Sequence, residues 1–449
     1  MVTKEPAQYI GDEAAREVPG RPEPVPSAVQ GNVNLRVLVL ALATFAIGTG
    51  TFIVAGLLGG VARDVSVSVG TAGHLVTVFA VAYAVLSPFL VAATGRVPGR
   101  RLLVIGLVLF AGANAAAALA PTFSLLLATR VAAAGFAAVC TPVALATAAR
   151  MAPPERKGRA LSVTIGGISV AWVVGVPLGA VIVDYFSWRT SFGVAAVLAV
   201  VAAAGVGLLL PAVSNPSLAG GLASRLAVAG RPAVLATLAV TVLTMVSGFT
   251  VLTYVRPLLE GLTGFGGEGI GLMLLAFGLA GVGGSILGGY GADRWGYRTT
   301  AVQMIVVLGF SLLTFSLLPA IEVGSAFVIV GAGMAMVAWG AVVFALIPLQ
   351  QHHLIRVAPD EQNGVLSLNS SAVYVGQGLG AGLGSLVLGH LSLAALGYAG
   401  ALLTAAALVG LVFAARLPQG VTDREALPES PAERRSGPSA PKVFPCPQP

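Results

Sequence analysis

The amino-acid sequence predicts an all-α polytopic membrane protein in which twelve transmembrane helices form two six-helix halves. Twelve apolar stretches, each about long enough to cross a bilayer, lie between residues 35 and 416. Only 10% of the 449 residues are charged and 56% are hydrophobic, so the chain lacks the charged surface that a soluble protein needs. Because hydrocarbon offers backbone groups no water, and because the stretches show no two-residue alternation, we expect helices and not a β-barrel.

The predicted spans divide evenly around one longer connection. They occupy residues 35–60, 71–93, 102–120, 123–149, 160–183 and 191–211, and then residues 232–255, 269–291, 300–319, 325–347, 364–389 and 394–416. The connection contains Pro216 and is bounded by Pro211 and Pro232. We therefore expect an N-terminal half over 35–211, a cytoplasmic linker over 212–231 and a C-terminal half over 232–416.

The distribution of basic residues predicts the orientation, because cytoplasmic loops of membrane proteins retain Lys and Arg. Alternate connections are rich in basic residues, namely Arg96, Arg100, Arg101, Arg150, Arg156, Lys157, Arg159, Arg225, Arg231, Arg294, Arg298 and Arg356. The opposite connections hold only Arg63, Arg189 and Arg256. Both termini are therefore predicted to be cytoplasmic. This bias accounts for the net charge of +7, and we expect no nucleic-acid partner.

The two ends of the chain differ from the rest in composition. Residues 1–34 are rich in Pro and acidic residues, and residues 417–449 combine many prolines with charges of both signs. Such segments cannot bury enough apolar surface to fold, so both are predicted to be disordered cytoplasmic tails. The two cysteines, Cys140 and Cys446, predict no disulfide framework.

Two connections at equivalent places in the halves carry related motifs. The connection after span two contains Gly95, Arg96 and Arg100, and the connection after span eight contains Gly289, Asp293, Arg294, Gly296 and Arg298. Turn glycines in a positively charged loop would explain either motif alone. As a pair they resemble the signature of the major facilitator superfamily, which implies a transporter with twelve helices. Gly95 stands where that family has Asp, so the resemblance does not imply a carboxylate latch in the first half.

Span five carries a stripe of small residues. Gly167, Ala171, Gly175 and Gly179 recur every four residues and share one helix face, where a neighbouring helix could approach closely. Tight packing alone would explain this stripe. However, Gly166, Gly175, Pro177 and Gly179 also resemble the antiporter motif of the drug/proton antiporter branch of the superfamily, which implies that span five seals the interface between the halves. Span eleven has two similar stripes, formed by Gly376, Gly380 and Gly384 and by Gly378 and Gly382.

Further segments resemble particular exporters of that branch. Residues Gly48–Phe52, Trp188–Phe192, Trp339–Gly340 and Pro348–Gln351 are similar to segments of the arabinose-efflux-permease-like and chloramphenicol-efflux-like proteins. The resemblance implies efflux by alternating access, driven by a proton gradient. Thr51 stands where this branch often has an acidic residue, which leaves open the group that would take up the proton.

Arg130 is the clearest charged candidate because it falls inside span four. A charge at the centre of a membrane helix costs about 2.5–3.5 kcal/mol on insertion scales, so such residues usually have a function. The segment from Arg130 to Gly135 resembles the family's second motif, in which the Arg is tied to proton coupling. Two alternatives are a side chain that extends to the outer surface and a partner for an anionic substrate.

The acidic residues offer few other candidates for proton coupling. None of the 18 Asp and Glu residues lies clearly at the centre of a span, although a proton relay needs a group that titrates inside the protein. The nearest candidates are Asp184, at the outer end of span five, and His74, at the outer start of span two. Both could equally be interfacial polar residues. Coupling therefore falls to Asp184 or His74, is carried by a substrate that itself titrates, or is absent.

Polar and aromatic residues on otherwise apolar spans predict a substrate cavity between the halves. Core packing would explain any one of them, because aromatic rings and amides also join helices. As a set they predict a mostly apolar cavity that accepts a neutral or weakly ionic amphipathic compound. These candidates are Phe45, Thr49, Phe52, Tyr83, Trp172, Tyr254, Asn369, Tyr374 and Gln377.

The sequence predicts no enzyme, no cofactor and no metal site. None of the lysines lies in a phosphate-binding loop of the Gly-x-x-x-x-Gly-Lys type. Residues 264–269 match a dinucleotide-binding pattern, but they connect two predicted helices and follow no strand. His352 and His353 are adjacent and have no third metal ligand nearby in the sequence.

These observations predict a secondary active transporter, expected to be monomeric, that exports a small apolar or amphipathic molecule. Its partners would be that molecule, protons and the lipid bilayer. Frequent Ala, Gly and Arg with only three Lys indicate a GC-rich bacterial genome, hence the inner membrane. One alternative is a facilitator or importer of a small metabolite without proton coupling. Another is a non-transporting membrane sensor or scaffold, for which the tails are too short to supply a domain.

Reporter fusions test the predicted orientation. Alkaline phosphatase fused after Arg416 should be inactive, because the enzyme folds only outside the cytoplasm and basic loops stay inside. The same reporter fused after Ser187 should be active and serves as the control. An active phosphatase after Arg416 would contradict both the orientation and the count of twelve spans.

Overall fold

A computed structural model describes residues 33–95, 97–153, 156–211, 230–321 and 324–414, except for the side chains of Val33, Asp360 and Asn363. Residues 1–32 of the predicted N-terminal tail, the predicted C-terminal tail, most of the predicted linker and Arg96 lie outside the described residues, while the last two residues of the predicted N-terminal tail begin the first helix. Within the described ranges the secondary structure is entirely helical, as the sequence predicts. The all-α membrane fold is therefore confirmed.

The helices follow the predicted spans closely, with longer ends. In the N-terminal half they are Val33–Phe52 with Val54–Asp64, Val69–Thr94, Gly99–Ala118, Phe123–Met151, Lys157–Tyr185 and Trp188–Leu209. In the C-terminal half they are Pro232–Leu252 with Val255–Thr263, Gly267–Leu317, Ser325–Val357, Gln362–His390 and Ala395–Ala414. A short 3-10 turn, Leu318–Ala320, follows the long helix, and another, Pro359–Glu361, precedes Gln362.

Spans eight and nine form one continuous helical segment that reverses direction at Gly296. Eleven helices in the described ranges are long and apolar enough to cross a membrane, and one of them, Gly267–Ala320, contains 54 residues. Gly296 has φ 77° and ψ 160°, a conformation that glycine adopts without a steric penalty. A Cβ atom added to Gly291 would lie 2.7 Å from Cγ2 of Thr300, whereas nine residues of straight helix span about 13–14 Å. The segment therefore crosses twice, which gives the predicted twelve spans.

Two spans continue beyond their predicted ends. Span one breaks at Ile53 and continues as Val54–Asp64, and span seven breaks after Leu252 and continues as Val255–Thr263. We call the side on which span one begins the base, and the side on which it ends the top. Both extensions lie at the top and contact each other. The predicted spans ended at residues 60 and 255, and the extensions beyond them contain the charged residues Arg63, Arg256 and Glu260.

The halves meet through two pairs of spans. Span two packs against span eleven, and span five packs against span eight. A Cβ atom on Gly378 would lie 3.0 Å from Val81, and one on Gly278 would lie 2.6 Å from Val173, so small residues allow both approaches. One apolar cluster runs across the interface and includes residues of both halves, such as Leu57 and Leu258.

The glycine stripe of span five packs inside the N-terminal half, against span one. A Cβ atom on Gly167 would overlap the carbonyl oxygen of Ala41, and one on Gly179 would lie 2.6 Å from the carbonyl oxygen of Ile53. Span five does lie at the interface between the halves, but the glycines Gly167 and Gly179 face span one of their own half. The opposite face of span five meets span eight, where the close residue is Gly278 on the partner helix.

The other residues of the implied antiporter motif differ in their surroundings. A Cβ atom on Gly175 would lie 3.6 Å from Cα of Thr49, which is an ordinary contact, and one on Gly166 would meet nothing within 4 Å. Pro177 lies inside the same helix and is buried. Span eleven divides in the same way, since Gly376, Gly380 and Gly384 face span seven of their own half and Gly378 and Gly382 face span two.

Two adjacent glycines of span five give a matched test of this packing. Gly167→Leu should destabilise the folded protein by about 1–3 kcal/mol or more, because the backbones of spans one and five would have to separate. Gly166→Leu should leave stability unchanged, since its added side chain meets open space. Thermal unfolding of both variants in detergent measures the difference. Equal melting temperatures for the two variants would contradict the close approach at Gly167.

Candidate functional site

Four aromatic rings from four different spans meet at the centre of the molecule. The ring centroid of Trp172 lies 4.2 Å from Phe52, 5.7 Å from Phe249 and 5.3 Å from Phe344. Two of these residues belong to each half, and each is 6–8% exposed, whereas most of the surrounding core is fully buried. We call these four residues the aromatic cluster. It provides a mostly apolar contact surface shared by both halves.

The sequence analysis identified Phe52 and Trp172 but missed Phe249 and Phe344. The sequence did offer a signal for Phe249. Spans one and seven are the first spans of the two halves, and Phe249 follows Gly248 in span seven just as the predicted cavity residue Thr49 follows Gly48 in span one. Phe344 gave no such signal, because span ten contains several apolar residues that could equally face lipid. A further chain of edge-on rings connects Phe344 through Phe277 to Trp339 inside the C-terminal half.

Tyr83 and Tyr374 form a second contact between the halves. Their rings stack with centroids 3.7 Å apart, one on span two and the other on span eleven. Gln377, one turn further along span eleven, is 4% exposed. The structure therefore brings together two predicted cavity residues, at positions 83 and 374, that are 291 positions apart in the chain.

The remaining predicted cavity residues lie in three different environments. Phe45 is half-buried, and Thr49 is buried with a hydroxyl that has no hydrogen-bond partner among the described residues. Asn369 is buried between spans eleven and seven, where it accepts a hydrogen bond from Thr241 at 3.1 Å. Tyr254 lies at the top, where its hydroxyl donates to the carbonyl oxygen of Ala381 at 2.9 Å. The Asn369 Nδ2 has no hydrogen-bond partner among the described residues, so Asn369 keeps one free donor, whereas the Tyr254 hydroxyl is engaged at the top.

Arg130 is 1% exposed and is held entirely inside the N-terminal half. Its Nη2 donates to the carbonyl oxygen of Gly50 at 3.0 Å, and its guanidinium carbon lies 4.5 Å from the Phe79 ring centre and 5.6 Å from that of Phe192. Its Nε and Nη1 have no hydrogen-bond partner among the described residues. The alternative in which this side chain extends to the surface is therefore excluded. Its charge is stabilised by ring faces and one carbonyl group.

Asp184 and His74 both lie at the top, at the interface between the halves. Asp184 forms an ion pair with Arg256 and accepts a hydrogen bond from the backbone N–H of Gly267 at 2.6 Å. His74 is exposed, and its Nε2 is 3.5 Å from the hydroxyl oxygen of Ser385 on span eleven. Sequence reasoning missed Arg256 as a site residue, because in the sequence it was only a basic residue on the less basic side.

A second ion pair lies at the top within the N-terminal half. Arg189 pairs with Asp64, and Nε1 of Trp188 donates to the same carboxylate at 3.0 Å. The Arg189 guanidinium and the Trp188 indole hold the pKa of Asp64 below its usual value. The segment Trp188–Phe192, which the sequence analysis noted for its family resemblance, therefore fastens span six to the extension of span one.

The two loop motifs lie at the base. Gly95 ends span two, and Arg100 donates to the carbonyl oxygen of Gly207 on span six. In the second motif, Arg294 donates to the Tyr290 hydroxyl at 3.1 Å. Gly296 forms the reversal between spans eight and nine, while Gly289, Asp293 and Arg298 make none of the hydrogen bonds or ion pairs found among the described side chains.

The central site of the described chain contains no carboxylate. Asp184, Asp64, Glu260 and Glu268 all lie at the top, and Asp293 lies at the base. No group of three His, Cys, Asp or Glu side chains in the described ranges could hold a metal ion. The arrangement can therefore bind a molecule through apolar and aromatic contacts, with Arg130 as the nearby buried charge.

Comparisons with known proteins agree with this architecture. The family model described as the Major Facilitator Superfamily matches residues 40–365. An uncharacterised MFS-type transporter of Bacillus subtilis, YbcL, is 29% identical over 395 residues, which cover 86% of this chain and 98% of the relative.

Solved structures show the same fold. A D-xylose-proton symporter matches with a TM-score of 0.69 at 18% identity, covering 86% of this chain and 98% of its own. A bacterial homologue of the human lysosomal transporter Spinster, in an inward-facing and unoccupied conformation, matches with a TM-score of 0.67 at 16% identity, covering 86% of this chain and 96% of its own. With the family model matched across most of the chain, this protein belongs to the Major Facilitator Superfamily and is a multi-pass membrane transporter, not an enzyme.

Proposed function

We propose that the protein exports a small apolar or amphipathic compound, a drug or a metabolite, by proton-coupled alternating access, and that it belongs to the drug/proton antiporter branch. The observation that carries this proposal is the aromatic cluster, in which each half supplies two rings to one central contact surface. Relative movement of the halves would change the access to this surface from one side to the other. Family membership favours transport over the alternative of a non-transporting sensor or scaffold.

The proposed substrate class follows from the chemistry of the centre. Indole and phenyl rings bind apolar and aromatic compounds by burial and ring contacts, and they offer no charge that would match a phosphorylated metabolite. The Thr49 hydroxyl, which has no partner among the described residues, supplies one polar contact in the same region. A neutral or weakly ionic amphipathic molecule matches this combination best.

The proposed direction depends on the membrane orientation. The base carries the Arg-rich connections, so we assign it to the cytoplasm, with both termini on that side. The top, where the halves are joined by Asp184 and Arg256, then faces outward. We place the protein in the bacterial inner membrane as a monomer.

The second candidate function is a facilitator or importer of a small metabolite that does not use protons. The absence of a carboxylate from the centres of the described spans favours it, because a proton carrier needs a titratable group that changes its exposure during transport. Under proton coupling, the groups available are Arg130, Asp184, His74 and a substrate that itself titrates.

Proteoliposomes separate the two candidates. A pH gradient that is acidic on the top side should drive substrate movement toward that side, and an uncoupler should abolish the movement. Substrates are first selected in a pump-deficient bacterial host by comparing the accumulation of ethidium and lipophilic antibiotics with and without the gene. Movement that equilibrates the substrate regardless of the gradient would contradict the antiporter proposal and support the facilitator.

The buried arginine gives a second test. Arg130→Ala should reduce efflux at least tenfold, and Arg130→Lys should restore little of it, because a compact ammonium cannot reach the Gly50 carbonyl and stack on both rings as a planar guanidinium does. Arg101→Lys, at an exposed base position, is the control. Efflux equal to that of the unmodified protein in Arg130→Lys, at equal expression, would show that only a point charge is required.

A further inference from the structure

We propose that Arg256 and Asp184 form a clamp that holds the top closed, and that closure requires Asp184 to be ionised. This inference rests on the proposed alternating access and adds two residues with defined roles to it. It also removes Asp184 from the groups that could carry a proton across the membrane. The argument depends on the geometry of both side chains, the helices they join and the sign of the proton linkage.

Arg256 extends from the C-terminal half into the N-terminal half. Its side chain is 7% exposed. Its Nη1 donates to the carbonyl oxygen of Ala180 at 2.6 Å and to that of Gly56 at 3.3 Å, while its Nη2 pairs with Asp184. Three acceptors of the other half therefore surround one guanidinium. Its Nε donates to Glu260 of its own helix at 2.7 Å, which fixes the side chain in this direction.

Asp184, in the N-terminal half, contacts two elements of the C-terminal half. One carboxylate oxygen accepts from Arg256 on the extension of span seven, and the other accepts from the backbone N–H of Gly267, the first residue of span eight. Both partners belong to the C-terminal half. A single carboxylate at the end of span five therefore joins two elements of the opposite half. Hydrogen bonds that involve ionised groups are about twice as strong as neutral ones.

The backbone at this point leaves room for the carboxylate only because residue 267 is a glycine. A Cβ atom on Gly267 would overlap Oδ2 of Asp184 and would lie 2.9 Å from the carbonyl oxygen of Ala180. Span eight therefore approaches the end of span five directly at the clamp. The close approach and the ion pair support each other, which distinguishes this site from an accidental surface pair.

Protonation of Asp184 would oppose closure. The charged and titratable groups around it are Arg256, Glu260, Arg63 and the pair Tyr185 and Glu268, in which the Tyr185 hydroxyl donates to the Glu268 carboxylate. In the closed top the ionised carboxylate of Asp184 accepts from two donors, whereas in an open top water would replace both. The closed state therefore favours the ionised form, and acid shifts the equilibrium toward the open top. This loss begins as the pH reaches the usual pKa of a water-exposed carboxyl, about 4, and is complete only at lower pH, where Asp184 is protonated in the closed top as well.

This sign is opposite to that required of a proton carrier. An antiporter that moves protons from the top to the base must close its top while its carrier group is protonated. A protonated Asp184 cannot form an ion pair with Arg256, so protonation of Asp184 disfavours closure of the top. The structure therefore assigns Asp184 to the gate and leaves His74, Arg130 or the substrate to account for any coupling.

Distance measurements across the top test the clamp without any transport assay. Spin labels are attached to Leu119→Cys and Ile321→Cys, which are exposed top positions of opposite halves. The full-length protein also carries Cys446→Ser, and Cys140 is buried and therefore stays unlabelled. In the closed top the two labels are a short distance apart, and in the open top a long distance apart. Arg256→Gln should raise the ratio of the long-distance to the short-distance population about tenfold, because the closed top loses charge-assisted hydrogen bonds between partly buried groups. Lowering the pH from about 7 to about 4 should raise the same ratio in the unmodified protein by up to about twofold, because only half of the water-exposed carboxyls are protonated at pH 4, and Asp184→Asn should lose most of this pH response.

The matched control is Arg189→Gln. It breaks the other Arg–Asp pair of the top and removes the same charge, but Arg189 and Asp64 both belong to the N-terminal half. Arg189 also donates to the carbonyl oxygen of Ala120, beside the labelled position 119, so the label itself can shift slightly, but the ratio of long to short distances should remain that of the unmodified protein. An Arg256→Gln distribution equal to this control, or a shift toward short distances in acid, would overturn the clamp. A failure of gradient-driven transport would instead affect only the proposed antiport, because the distances are measured without substrate or gradient.

Discussion

Close approach of helix backbones is the constraint on which this structure depends. Lipid is as apolar as the helix surfaces, so burial against another helix gains little over burial in lipid, and packing must come from short contacts. Glycines supply them within each half. In the C-terminal half, Cβ atoms on Gly284 and Gly340 would overlap backbone carbonyl oxygens of the facing helix, as a Cβ atom on Gly167 would in the N-terminal half. A side chain added at any of these positions would push the facing helices apart, so the glycines hold each half together.

The contacts between the halves combine close approach with side-chain contacts. Gly278 allows span eight to approach span five, as glycines do within each half. The interface also has the stacked pair Tyr83 and Tyr374, the aromatic cluster and the ionic contacts at the top. Side-chain contacts of this kind can separate and re-form with water or substrate as a replacement, so they are the contacts that the proposed alternating access would exchange.

The sequence was sufficient to predict the fold and part of the site. Long apolar spans, the positions of the basic loops and the glycine that reverses the chain at residue 296 all follow from local rules. The partner of each glycine stripe did not follow, because a spacing of four residues shows that one face is small without showing which helix it meets. Gly167 and Gly378 illustrate this limit, since the first faces its own half and the second faces the other half.

Pairs that depend on three-dimensional contact were the least predictable. Asp184 and Arg256 are separated by 72 residues in the chain. The sequence located each of them near the end of a span, but it did not predict the ion pair between them. Phe249 and Phe344 were missed because an aromatic residue in an apolar span is consistent with core, lipid or cavity. Arg130 was found because a charge inside a span is costly whatever surrounds it.

The surroundings of Arg130 bear on the question of coupling that the clamp leaves open. Two phenyl rings and one carbonyl group replace only part of the water that the guanidinium loses, and two of its nitrogens have no partner among the described residues. An ionised group in that position is most stable when an additional acceptor arrives, because unmade hydrogen bonds of a buried charge are costly. A water molecule or an acceptor group of the substrate could supply it. In a protein whose described spans have no central carboxylate, this unsatisfied guanidinium is the group to which we assign any charge sensitivity of the proposed substrate binding.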